Sequence, residues 1–325
     1  MKAVLHRALP RRVWNRASSS GYSLLASAGA RLKQSSWQRA VEDGTIPADV
    51  FAGVDDRQWL WLNTAGLRRE PALAGLLPGM PDTSVQLEYT GTAGDRIMRE
   101  AWNFYRLVRD SHDRYSRGAR LGRSTDVLDF GCGWGRVIRF FLRDVEPAHL
   151  RGIDCDGDAI AICRGTNRWC SFAEVAPLPP SAFDDGSLDV VYAYSVYSHL
   201  SEEAHDRWLD EFHRVLRPGG TLVLTTRPRS FIELCAWLRS PEAAGSPASH
   251  LVSGGAFLDT AAALARYDAG EYCFSHRGPS DPPHFGETCI PRPYVEANWT
   301  SRFELLEFID DLTTVPQVVT VMRRR

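Results

Sequence analysis

Residues 126–136 read DVLDFGCGWGR. An apolar pair, Val127-Leu128, runs into Asp129, and glycines follow at 131, 133 and 135. Beyond them Val137, Ile138 and Phe141 fall at helical spacing, so the stretch predicts strand, tight turn, helix. Gly131, Gly133 and Gly135 let the backbone turn sharply and let a ligand lie against it with no Cβ between. Asp129 places a fixed negative charge where the strand ends. That charge repels a pyrophosphate and attracts an ammonium group.

The spacing separates two ligand classes. A dinucleotide fold uses G-x-G-x-x-G. Here Arg136 stands where the last glycine of that pattern belongs, and the third glycine comes one residue early. D-x-G-x-G-x-G instead resembles motif I of the class I S-adenosylmethionine-dependent methyltransferases. In that family the acid and the glycines hold the amino-acid end of the cofactor. The resemblance therefore implies S-adenosyl-L-methionine, with Asp129, Gly131, Cys132, Gly133 and Gly135 against it. A tight strand–helix turn without a ligand is the plainer alternative. Cys132 reads either as a reactive thiol or as a small loop filler.

Asp154 lies eighteen residues beyond Arg136, at the end of a second short strand, His149-Leu-Arg-Gly-Ile-Asp154. A helix follows, with Asp156 as its N-cap. A carboxylate at this place can accept both ribose hydroxyls, and the resemblance gives Asp154 that role. Cys155 and Phe172 would then touch the adenine. Relatives often carry Asp or Asn after the third strand to bond the adenine amine; Val175 and Ala176 stand there instead. The alternative makes both aspartates surface caps.

Asp185-Gly186 marks a turn, and Leu188 to Tyr194 suits a buried central strand. The run Asp185–Leu200 resembles the family's fourth strand, which brings Tyr194 and Ser195 to the cofactor. Ser201 is an N-cap with Glu202 and Glu203 in the first turn. Ala204, Trp208, Leu209, Phe212, Val215 and Leu216 form one apolar helical face. Arg217-Pro-Gly-Gly220 stops that helix, and Thr221–Thr226 is the next strand. RVLRPGGTLVLTT is similar to a family signature in order and distance from the glycine loop. Phe303–Ile309 and Gln317–Met322, joined by a loop with Pro316, suit the family's closing antiparallel hairpin. The fold expected is α/β: a Rossmann-like seven-stranded sheet, mostly parallel with an antiparallel C-terminal hairpin. Helices cover both faces, and a helical extension precedes it.

The 325 residues, 44% hydrophobic, divide unevenly. Residues 1–41 hold eight Lys/Arg and no acid, which leaves 30 basic against 40 acidic residues beyond. That balance argues against a nucleic-acid-binding face on the catalytic body. The basic segment reads as a mobile arm, as a peripheral membrane contact through Leu5, Leu9, Val13 and Trp14, or as a transit peptide. Residues 42–119 read as a mainly helical extension or lid. Residues 120–325 read as the methyltransferase domain, with a cap insertion at about 227–295. No apolar stretch approaches the roughly 20 residues needed to cross a bilayer. Seven cysteines without a CxxC pair indicate reduced thiols, a cytoplasmic setting and no structural zinc. Arginine supplies all cations except Lys2 and Lys33, which suggests a GC-rich, bacterial genome.

Open α/β sheets bind ligands beyond the carboxyl ends of their strands, so the acceptor should meet the cofactor near Tyr194–His199. The upstream run with Tyr89, Thr90 and Arg96, leading into a helix with Tyr105, is one candidate wall. The cap, with His250, His276 and His284, is the other. His199 is the candidate general base of the core, its ordinary pKa being suited to the task; helix capping or packing is its structural alternative. The fourth strand lacks the N/D-P-P-Y/F run of amino-methylating DNA enzymes, and no Pro-Cys serves cytosine chemistry. A small-molecule or glycan methyltransferase, O-methylation preferred, leads. A non-catalytic cofactor-binding scaffold and an aminopropyl transferase are the alternatives.

Overall fold

The computed structural model describes residues 39–40, 42–43, 45–116, 120–243, 255–276, 278 and 281–325. The arm, membrane and transit readings of the basic N-terminal segment, and His250, fall outside the described residues. Among the described residues, no helix is long and apolar enough to cross a membrane.

In chain order the strands are β1 (Val127–Phe130), β2 (Leu150–Asp154), β3 (Ser171–Glu174), β4 (Leu188–Ala193), β5 (Leu216–Thr226), β6 (Cys273–His276), β7 (Gly286–Cys289), β8 (Phe303–Ile309) and β9 (Val318–Arg324). Seven form one sheet in the order β3-β2-β1-β4-β5-β9-β8, and β6 pairs with β7 separately. β3 through β5 are parallel, while β9 runs antiparallel to both β5 and β8. The strand order reverses between β1 and β4, and that switch opens a crevice at the carboxyl edge. The expected sheet and closing hairpin are both present.

The helices used below are α1 (Pro47–Phe51), α2 (Asp56–Trp61), α3 (Thr83–Thr90), α4 (Asp95–Tyr115), α5 (Gly157–Thr166), α6 (Glu202–Val215), α7 (Arg229–Leu238), α8 (Thr260–Asp268) and α9 (Arg292–Asn298). α4 lays Met98, Phe104 and Val108 on one sheet face, against Val190, Tyr192, Val223 and Val319. α6 lays Trp208, Leu209 and Phe212 on the other, against Leu128, Val191 and Leu224. Strand side chains alternate: Leu128 joins the α6 face and Val127 the α4 face. Asp129 therefore falls on the α4 side. α6 starts where its sequence signals it, with Ser201 Oγ accepting the Ala204 N–H at 3.3 Å.

Two expectations need correction. The helix predicted after the glycine loop is a 3₁₀ segment, Ile138–Arg143, with all six residues buried. It is enclosed on all sides rather than packed by one stripe. Its buried guanidinium, Arg139, bonds the Pro78 and Gly79 carbonyls and Asn63 Oδ1 of the extension. The R-P-G-G stop also lies inside β5, which starts at Leu216. The extra residues form a register shift, since Leu188 pairs Leu216 and Val190 pairs Thr221.

The amino-terminal edge of the sheet is closed by charge. Asp126 accepts from His149 at 2.9 Å, Arg151 at 2.8 Å and Arg217 at 2.9 Å. Burial alone would raise its pKa, but these three donors hold it down to about 2. A depressed carboxylate contributes stability above its unfolded value, and that contribution is lost as pH falls through the folded one. Asp126→Asn should cost about 1–2 kcal/mol at neutral pH, after discounting solvent screening. It should also flatten the loss of stability between pH 4 and pH 2. Thermal unfolding followed by circular dichroism across that range checks both.

Candidate functional site

The glycine loop turns directly off β1. Gly131 has φ +69°, and a Cβ there would come within 2.2 Å of Val196 Cγ2. Only glycine fits, so the loop and the turn after β4 are in contact. The Ile153 carbonyl accepts the Gly131 and Cys132 N–H groups at 2.8 and 3.1 Å. Cys132 is buried beneath the loop, and the neighbouring Cys163 thiol together with burial raises its pKa well above the usual thiol value. That identifies it as loop packing. Phe172 is buried with its ring edge against Gly135 and Gly152. Cys155 is exposed beyond β2, on the expected adenine side.

Asp129 is 2% exposed. Its Oδ2 has no hydrogen-bond partner, and neither has the Tyr192 hydroxyl. Burial pushes the pKa up to about 7; the Tyr192 hydroxyl, Arg136 and the Ile138 N–H offset only part of this, and the Asp154 charge adds to it. A buried carboxylate without a counter-ion is costly. Its chemistry fits a ligand ammonium group. Asp129 Oδ2, Trp134 Nε1, Tyr192 OH, Thr226 Oγ1 and Gln317 Oε1 are five of the ten buried side-chain polar atoms without partners among the described residues. All five belong to the carboxyl edge of the sheet or the loop above it. Such groups are normally satisfied, so their concentration here marks a polar binding crevice.

Asp154 stands at the end of β2. Its Oδ2 accepts the Gly133 N–H at 2.8 Å and its Oδ1 the Asp156 N–H at 3.0 Å. A carboxylate has about four acceptor sites, so two remain for ribose hydroxyls. Burial raises its pKa, and the two N–H groups work against that. Asp156 caps α5 as expected, accepting from Asp158 and Ala159. Tyr89 of α3 reaches across the loop. Its hydroxyl donates to Asp156 Oδ2 at 2.8 Å, and its ring lies 4.0 Å from a Cβ built on Gly133. Tyr89 therefore lies over the glycine loop.

Beyond β4, Tyr194 donates to Glu100 of α4 at 2.8 Å, and Arg136 stacks 4.7 Å over its ring while pairing Glu100 at 3.1 Å. Ser195 follows with φ +62°. This left-handed conformation is costly for a residue with a Cβ and recurs at functional sites. Three contacts hold it. The Ser195 N–H donates to Thr225 Oγ1 at 2.7 Å, its Oγ accepts from Gln317 Nε2 at 2.8 Å, and Ser198 Oγ lies 3.4 Å away.

Next, residues 198–201 are stitched to β7 and the turn before it: Ser198 and His199 carbonyls accept from Thr288 and Gly286, and the His284 carbonyl accepts from Ser201. His199 Nδ1 lies 2.9 Å from the Gly286 carbonyl oxygen. A carbonyl only accepts, so Nδ1 carries hydrogen and Nε2 of the neutral ring is the acceptor. Arg227 Nη2 stands 3.4 Å from Nε2, Arg227 Nε donates to Glu287 at 3.1 Å, and the imidazole stacks on Phe285. Burial raises the Tyr194 pKa well above its ordinary value, and the Glu100 charge adds to this while the charges of Arg136 and Arg227 offset part of it.

Other candidates lie apart. Tyr105 is fully buried, packed on Phe140 and Phe141 and bonded to Asp144 and Arg143. An aromatic on the inward stripe of an amphipathic helix joins the core, and that corrects its place in the acceptor wall. Thr90 spends its hydroxyl on the Gln86 and Thr92 carbonyls. Arg96 is exposed on the first turn of α4. His276 is exposed and ties the turn at Asp281 and Pro282, while His284 contributes its carbonyl. Sequence reasoning missed Glu100, Arg227, Glu287 and Gln317. Glu287 carried the clearest signal: an acid in the middle of a strand that is buried throughout.

Comparison with known proteins agrees with this geometry. Residues 127–220 match the family model described as a methyltransferase domain. A phthiotriol/phenolphthiotriol dimycocerosates methyltransferase of Mycobacterium ulcerans is 34% identical over 133 residues, covering 38% of this chain and 45% of that protein. A fatty-acid O-methyltransferase of Mycolicibacterium smegmatis is 35% identical over 108 residues, covering 32% and 38%. A chloroplastic tocopherol O-methyltransferase of Arabidopsis thaliana is 26% identical over 159 residues, covering 45% and 41%. The chain thus spans less than half the length of each of these relatives. Among solved structures, an S-adenosylmethionine-dependent methyltransferase from Mesorhizobium loti aligns at TM-score 0.46 and 14% identity, over 69% of this chain and 98% of that one.

Between about pH 4 and pH 7 the folded protein holds a proton on Asp129 that the unfolded chain has released, so stability should fall as pH rises through that window. Asp129→Asn should remove this slope and raise the melting temperature of the ligand-free protein at pH 8. The same variant should lose about 100-fold or more in affinity for a ligand that presents an ammonium group there. Melting curves and calorimetry on one preparation test the two effects together.

Proposed function

We propose that this chain, which belongs to the class I S-adenosylmethionine-dependent methyltransferases, transfers a methyl group to an oxygen of a small-molecule acceptor. The observation that carries the reading is the buried carboxylate of Asp129, whose Oδ2 has no hydrogen-bond partner beneath the glycine loop. It matches the ammonium of S-adenosyl-L-methionine, while Asp154 offers two acceptor sites to the ribose and Tyr89 covers the loop. When bound, this cofactor supplies an electrophilic methyl on a sulfonium. The protein's part is to align an oxygen with that carbon, exclude water and receive a proton.

His199 suits the last task. The Gly286 carbonyl fixes its tautomer and turns Nε2 into the proton acceptor. Arg227 faces that nitrogen at 3.4 Å and would be displaced by an acceptor hydroxyl. We take the 42–119 extension and the 227–295 insertion as the segments that shape the acceptor pocket around the 120–325 domain. Names among the relatives, fatty-acid and tocopherol O-methyltransferases, favour oxygen over nitrogen. A glycan acceptor and a cytoplasmic, bacterial setting belong to the same proposal. Cys and Arg usage supports the setting.

Calorimetry with S-adenosyl-L-methionine should show binding that Asp154→Ala weakens at least about tenfold. Absence of binding by the wild type ends the reading. Labelled cofactor incubated with host extract, followed by mass spectrometry, should yield a product heavier by one methylene. Once the acceptor is known, His199→Gln should lower kcat about 100-fold or more and abolish the acid limb of the pH–rate profile. An unchanged profile removes His199 from proton transfer.

A further inference from the structure

We infer that Ser195 and Gln317 form the acceptor-reading element of this site, and that it selects a neutral hydroxyl compound over a carboxylate. The inference rests on the methyltransferase reading and adds a substrate class to it. Gln317 is 4% exposed and precedes β9. Val319 and Val321 of β9 pack on the α4 face. Two residues before Val319, Gln317 shares that face with Thr225, which pairs with Val319, and with Asp129. Its amide therefore joins the line of groups that runs from Asp129 through Ser195 along the carboxyl edge.

The amide is half satisfied. Nε2 donates to Ser195 Oγ at 2.8 Å, and Oε1 has no partner. A buried carbonyl-type oxygen left so is costly, and here it sits beside a residue held at φ +62°. Both costs fall at the turn whose next residue, Val196, touches Gly131 of the cofactor loop. Ser195 stays in this conformation because Thr225, Gln317 and Ser198 bond or flank its polar atoms.

The missing partner of Oε1 must be a donor. A hydroxyl supplies an O–H, and its oxygen remains open toward the methyl side. An ionised carboxylate supplies no hydrogen, so its oxygen would meet Oε1 acceptor against acceptor. The site therefore discriminates through an unmatched polar group, which rejects more strongly than shape alone. Gln317 orients the acceptor and receives no proton. His199 on the cap rim is the group suited to that.

The test uses the full-length protein saturated with S-adenosylhomocysteine for acceptor binding, and with labelled S-adenosylmethionine for turnover. The probes are hexadecanol, tocopherol and methyl glucoside against hexadecanoic acid. The wild type should bind and methylate at least one hydroxyl probe in preference to the acid. Gln317→Ala should raise KM for that probe tenfold or more, with a smaller loss in kcat and cofactor Kd within twofold. Ser195→Gly suits the left-handed backbone and keeps the fold, and it should show the same KM-weighted loss. Retained binding and kinetics in both variants, transfer confined to the acid, or no hydroxyl bound and methylated by a protein that binds the cofactor each overturn the inference. Failure of the wild type to bind the cofactor overturns the methyltransferase reading instead.

Discussion

A carboxylate buried without a counter-ion is the constraint around which this molecule is arranged. Asp129 loses its hydration on folding and gains too few donors to compensate. A flexible backbone would relieve that cost by turning the group to water. Three features prevent it. The pleat of β1 commits the side chain to the α4 face, neighbouring strands clamp β1 on both sides, and the glycine loop closes over it. The loop in turn has no room to shift, because Gly131 meets Val196 with no space for a Cβ. The cost is held in the scaffold, and a ligand cation at Oδ2 would offset it.

Stability comes from places where charge is satisfied. At the opposite edge Asp126 has three charged or polar donors and a low pKa. Between the sheet and the extension, Arg139 is fully buried with no carboxylate among its bonded partners; burial lowers its pKa to about 9. Carbonyls from Pro78 and Gly79 hold it, while Trp59 and Trp169 donate across the same seam to the Phe140 and Leu76 carbonyls. These contacts lock the extension onto the 3₁₀ segment that follows the glycine loop. That lock places α3, and with it Tyr89, over Gly133. The covering of the crevice thus depends on bonds more than one turn away from it.

The parts legible in the sequence are those set by short-range rules. D-x-G-x-G-x-G needs one strand and one turn, Asp156 and Ser201 cap helices a few residues downstream, and β8–β9 follow from two short apolar runs that resemble the family's closing hairpin. Their structural forms appear as read, apart from the 3₁₀ segment. Periodicity could not forecast that segment, because a stretch enclosed on all sides carries no stripe. Tyr105 was misplaced for a related reason: an aromatic on an amphipathic helix reads equally as pocket or core, and only the packing partner decides. Gln317, Arg227 and Glu287 stayed invisible because their meaning arises from residues 28 to 122 positions away. A polar residue opening an apolar strand, or an acid inside one, signals that a partner exists without saying which.

The distribution of charge along the crevice follows from the chemistry it would host. Asp129 and the Arg136–Glu100 pair crowd the glycine-loop end. At the turn after β4 the groups are neutral dipoles: Ser195, Ser198, Thr225 and the Gln317 amide. Transfer of a methyl from a sulfonium disperses positive charge as the bond to sulfur lengthens. A carboxylate at the reacting carbon would hold the starting state more tightly than the transition state and slow the step. Charge is useful where the ligand's charge does not change, at its amino-acid end, and dipoles are useful where it does. The arginine of the cap rim obeys the same logic, since Glu287 neutralises it before it reaches His199. A crevice built this way would bind by ion pairing at one end and discriminate by hydrogen-bond matching at the other.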